Sequence, residues 1–64
     1  MNWRYYINQQ ATTIIYRVNK EKTVAEAYSM FMNEWIPLAN TGTTVNRIIS
    51  FGKLNSEDAF LYML

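Results

Sequence analysis

The sequence predicts an α+β fold, a small antiparallel sheet covered on one face by a single α-helix. Three observations predict it. Residues 2–19 hold two runs dense in aromatic and β-branched side chains, which suit a pleated, half-buried surface. Residues 23–36 place apolar side chains at three- and four-residue intervals, the period of a helix face. Residues 43–51 alternate loosely and then meet a glycine.

The first two strands are read from Trp3 to Ile7 and from Thr12 to Val18, with polar Asn8-Gln9-Gln10-Ala11 as the turn. No glycine fixes that turn, so its type stays open. Alternation puts Trp3, Tyr5 and Ile7 on one face, and likewise Ile14, Tyr16 and Val18. The opposite faces carry Arg4, Tyr6, Thr13, Ile15 and Arg17, which is not a cleanly polar set.

The helix is expected from Thr23 to about Ile36. Thr23-Val24-Ala25-Glu26 has the form of a capping box. Val24, Ala27, Tyr28, Phe31, Trp35 and Leu38 then line one stripe, flanked by Met30 and Met32. Pro37 disfavours a helical Ile36 and ends the element. Asn40-Thr41-Gly42 is a turn signal, and Thr43 to Phe51 reads as the next strand, closed by Gly52. Asn55-Ser56-Glu57-Asp58 looks like a helix start, with a capping residue and acids in the first turn. The apolar run Ala59–Leu64 is too short for its period to separate helix from strand, with a short helix preferred. Residues 1–64 are expected to form one domain, because no repeat, linker or low-complexity tract divides them.

Composition narrows function mostly by subtraction. The chain has neither cysteine nor histidine, so it lacks disulfides, thiolate sites and the usual zinc, copper and haem ligands. The commonest general base and the strongest nucleophile are missing with them. No cofactor, metal or small-molecule substrate is expected, and no catalysis. A net charge of +1 is a weak field for nucleic acid or anionic lipid. No apolar run approaches a membrane span, and nothing resembles a secretory signal, so a soluble cytoplasmic protein is expected. Glu57 and Asp58 are explained by the helix dipole, Glu26 by capping, and Lys20-Glu21-Lys22 by a solvated loop.

What remains is a surplus of apolar bulk. Three Phe, two Trp and five Tyr sit in a chain with only 17% charged residues. One helix on a small sheet offers a single interior layer, which the helix stripe and one face of each strand should fill. Tyr6, Ile15, Met30, Phe60, Tyr62 and Met63 are then left over as apolar anchors, with Arg4 and Arg17 at a polar rim. The expectation is a protein-binding module that self-associates or docks on a larger protein and modulates it, in the manner of small inhibitory or accessory factors, including those of phages and mobile elements. The alternative is a nucleic-acid-binding face formed by Arg4, Tyr6 and Arg17 on the hairpin.

Overall fold

The computed structural model describes residues 2–10, 12–39 and 42–64. The expected N-terminal hairpin is present as β1 (Trp3–Asn8) and β2 (Ile14–Asn19), antiparallel, with Tyr5 opposite Arg17, Tyr6 opposite Tyr16 and Ile7 opposite Ile15. In the connection, the Gln10 amide donates to the Asn8 side-chain oxygen, and Ala11 lies outside the described residues. This register puts Trp3, Tyr5 and Ile7 on the same face as Ile15 and Arg17. Arg4 and Tyr6 share the other face with Tyr16 and Val18.

The expected helix over Thr23–Ile36 is corrected. The segment is a second hairpin, β3 (Ala25–Ser29) and β4 (Glu34–Pro37), with Met30–Asn33 as its tip. The apparent capping box is dissolved by partners outside the segment. Glu26 faces Arg17 across the strands and binds its guanidinium. The Thr23 hydroxyl accepts from the Asn19 side-chain amide. The tip needs no glycine, because Asn33 takes the left-handed conformation with φ 54°, which Asn tolerates, and the Ser29 hydroxyl accepts from the Met32 amide.

Asn19 holds the turn between β2 and β3. Its side-chain oxygen accepts from the amides of Thr23 (2.8 Å) and Val24 (2.9 Å). Together with the Lys22 amide bonded to the Asn19 carbonyl, this fixes Lys22 at φ 61°. Asn19→Ala strips both amides of their acceptor and is expected to cost roughly 1–3 kcal/mol in urea unfolding. Asn19→Asp keeps the acceptor oxygens and is expected to lose less; equal losses would show that these bonds are immaterial.

The strand expected over Thr43–Phe51 is likewise corrected. Residues Gly42–Ile49 form helix α1, whose buried residues are Val45 and Ile48. Its β-branched side chains disfavour a helix intrinsically, but Val45, Ile48 and Ile49 follow helical spacing and pack against Tyr6, Val18 and Ala25. Burial of that stripe outweighs propensity. Arg47 lies in the last turn, where it complements the dipole, and the Ser50 hydroxyl caps the Arg47 carbonyl. Of the turn signal before α1, Asn40 and Thr41 lie outside the described residues.

Gly52 opens a strand rather than closing one. β5 (Gly52–Leu54) pairs antiparallel with β1, giving a five-stranded sheet in the order β4-β3-β2-β1-β5. The tail is a helix, α2 (Ser56–Met63), and Asn55 caps it by accepting from the Asp58 amide at 2.8 Å.

The sheet therefore carries a helix on each face rather than on one. Beneath α1, Tyr6, Val18, Ala25, Val45 and Ile48 form one core. Beneath α2, Ile7, Ile15 and Ala59 form another, with Tyr5, Tyr28, Trp35 and Leu54 around it. This second layer corrects the expectation that Tyr6 and Ile15 are left over. They are 6% and 3% exposed, each buried under a different helix.

At the edge of the sheet, β4 presents little to pair with. The Leu38 amide donates to the Ala25 carbonyl, which sets the phase of the ladder. The alternate residues Trp35 and Pro37 then turn their backbone groups outward, and Pro37 has no N–H to offer.

Candidate protein-contact surface

The topology gathers exposed apolar side chains at one end of the molecule. β1 and β3 end there, and β2, β4 and β5 begin there, as the pairings require. The tip between β3 and β4 projects from that end and carries Met30, Phe31 and Met32. Phe31 is 97% exposed. The sequence pattern assigned it to a buried helix stripe, and the strand–turn–strand path removes it from the core altogether.

Helix α2 reaches the same end from the opposite one. Its first residue, Ser56, shares a shallow depression with Trp3, Arg4 and Lys20 at the far end of β1. Its last turn brings the Tyr62 hydroxyl within 3.5 Å of the Gln9 side-chain amide, just past β1. Only Ala59 is fully buried, at the contact with Ile7 and Ile15. Phe60, Leu61 and Leu64 stay 58%, 67% and 94% exposed. An open groove of about 420 Å³, lined by Leu54, Asp58, Leu61 and Tyr62, runs along the flank of the helix.

Of the anchors expected from the sequence, Met30, Phe60 and Tyr62 are exposed at this end, and Met63 is half-buried. Tyr6 and Ile15 are interior. Phe31, Met32, Leu61 and Leu64 join the exposed set without having been singled out. The run Met30-Phe31-Met32 before Asn33 was the available sign of an apolar turn, masked by its fit to a helical stripe.

The two arginines lie elsewhere. Arg4 is exposed near the far end of β1. Arg17 is sandwiched between two indoles, its guanidinium carbon 4.2 Å from the ring centroids of both Trp3 and Trp35. Its Nε donates to Glu26 Oε1 at 2.6 Å, with Nη2 at 2.5 Å from the same oxygen. Arg17 is thus a tie across the sheet, joining β1, β2, β3 and β4. The register also separates it from Arg4 and Tyr6, which occupy the other face, so these three do not form a common surface for bases and phosphates.

Among the described residues there is no cluster of three or more His, Cys, Asp or Glu side chains able to hold a metal, and no helix long and apolar enough to cross a membrane. No family model matches the chain, and neither a curated protein nor a solved structure is significantly similar to it.

Proposed function

We propose that this chain is a non-enzymatic protein-binding module that acts by apolar contact at the end of the sheet bearing the Met30–Asn33 tip, occupying a surface on another protein chain and so modulating it. The observation that carries the reading is Phe31, 97% exposed between two exposed methionines. A phenyl ring held in water on a short, hydrogen-bonded turn gains when a partner covers it, by roughly 1.5–3 kcal/mol for full burial. Tyr, Phe and Met are enriched where proteins meet, and charged residues are depleted from the centre of such contacts. The tip from Met30 to Asn33 carries no charged side chain.

The test is photo-crosslinking in the cells that make the protein, from a diazirine amino acid placed at position 31. Position 20, an exposed lysine beyond the other end of the sheet, serves as the control. Discrete protein adducts are expected from position 31 and not from position 20, and Phe31→Asp in the chain is expected to abolish binding of the captured partner without lowering the melting temperature. No adduct from position 31, or the same adducts from both positions, removes the reading.

A further inference from the structure

We infer that the outer edge of β5 takes up a short extended segment of another protein as a sixth strand, seating one apolar side chain of that segment in the groove between β5 and α2. This goes beyond the tip contact and stands apart from it. The phase of the ladder settles which backbone groups the edge offers. The Ala25 carbonyl is bonded to Leu38 in β4, so Glu26 turns its backbone to β2 and Arg17 turns to β3. Tyr6 then turns to β2, and Tyr5 and Ile7 turn to β5. Gly52 and Leu54 are thereby engaged with β1, and Lys53 points its N–H and C=O outward. Lys53 is exposed, and no described strand lies beyond it. Where Pro37 withholds a donor at the β4 edge, this edge offers a donor and an acceptor together. Another extended backbone matches such a pair.

The groove lies beside that edge. Alternation puts Leu54 on the α2 face with Tyr5, and Lys53 on the α1 face with Tyr6. Leu54 lines the groove with Asp58, Leu61 and Tyr62, which follow helical spacing along one flank of α2. A strand added beside β5 sets the residue opposite Lys53 on the α1 face and its two neighbours over the groove. Because α2 starts beside Trp3 and its Tyr62 reaches Gln9, Asp58 lies toward Leu54, and Leu61 and Tyr62 lie toward Gly52, which adds no side chain of its own. Charge complementarity then sets the composition of the segment. Among the described residues the one ion pair joins Arg17 and Glu26, so the Lys53 ammonium and the Asp58 carboxylate keep no counter-ion. Running antiparallel to β5, the segment meets these groups as base, acid and apolar residue in turn. The base lies beside Asp58, the acid opposite Lys53, and the apolar side chain against Leu61 and Tyr62.

The experiment follows backbone amide shifts of the isotope-labelled full chain at low salt, during titration with the end-blocked peptide Thr-Thr-Lys-Glu-Leu-Thr-Thr up to about 5 mM. Shifts are expected at Gly52, Lys53 and Leu54 and along Asp58–Tyr62, with a Kd on the order of 0.5 mM, the strength of a contact with so few hydrogen bonds. N-methylation of the peptide's Glu removes the donor aimed at the Lys53 carbonyl and is expected to weaken binding about tenfold. N-methylation of its Leu, whose N–H points to solvent, is expected to cost less than about threefold. Exchanging the peptide's Lys and Glu keeps its composition but sets like charges together, and is expected to cost about fivefold. Lys53→Glu, at an exposed position, is expected to lose affinity for the original peptide and gain it for one with Lys in place of Glu. No shift at Gly52–Leu54 at the highest peptide concentration overturns the inference. So does equal weakening by the two methylated peptides, which leaves a groove contact without a strand, and so do shifts confined to Met30–Asn33. Shifts at β5 that follow the protein's own concentration without peptide give the edge to a second copy and overturn it as well. Crosslinks from position 31 are untouched by any of these results, so the two readings fail separately.

Discussion

Ile48→Ala is expected to remove about 2–5 kcal/mol of stability, the usual cost of truncating a buried isoleucine. Ile48 is among the largest fully buried side chains, and α1 packs on the sheet through it and Val45. A 64-residue domain holds only roughly 3–10 kcal/mol in all. The truncated protein should therefore be substantially unfolded at room temperature, or unfold at a much lower urea concentration. Ile48→Val, which removes one methyl, should cost about 0.5–1.5 kcal/mol. The loss is expected to be global, because Tyr6, Val18 and Ala25 come from three strands and meet at this residue. A midpoint for Ile48→Ala within error of wild type would mean that α1 does not pack where the structure places it.

Arg17→Ala carries the second largest expected effect, about 2–4 kcal/mol. Three losses combine: a charge-assisted pair with Glu26, worth roughly 1.5–3 kcal/mol where shielded; two ring contacts of about 0.5–2 kcal/mol each; and the packing of the arginine stem. The sum is discounted because both side chains retain some solvent, which screens the pair. Arg17→Lys should recover little, since an ammonium cannot lie flat between two indoles while reaching a carboxylate. A double-mutant cycle with Glu26→Gln isolates the pair and should return a coupling near 1–2 kcal/mol. Tryptophan emission should shift to the red in Arg17→Ala as Trp3 and Trp35 lose their shared plate. Additive single and double mutants with unchanged emission would show that the sandwich is not formed.

The first hairpin was legible because Trp3–Ile7 and Thr12–Val18 combine β-prone residues with a polar break, and nothing competes with that pattern. The α+β class and the capped start of α2 at Asn55 were legible for similar local reasons. The middle of the chain was not. Val24, Ala27, Tyr28, Phe31 and Trp35 satisfy a helical stripe, and Thr23 with Glu26 imitates a cap. What decides against the helix is remote: Arg17 and Asn19, both in β2, supply the partners that Glu26 and Thr23 would otherwise find locally. The segment Gly42–Ile49 failed in the opposite sense, being β-prone by residue type and helical by what it covers. Once both segments change state, the sheet gains strands, and each face acquires a helix. Tyr6 and Ile15 then leave the candidate surface, while Phe31 enters it. In the tail, Phe60 and Tyr62 are exposed as expected, but Met63 is half-buried, and the more exposed Leu61 and Leu64 were not among the expected anchors, because the run's period does not say which side chains the sheet covers.

Pro37 limits what kind of aggregate this molecule can build. A naked margin of peptide groups would invite copy after copy to stack into a fibril, each new chain extending the last. The imino acid interrupts that template after a single available donor. Growth by backbone zippering is thereby discouraged along this border, and the tip at the sheet's end, rather than the backbone of β4, is left as a place where another chain can be met.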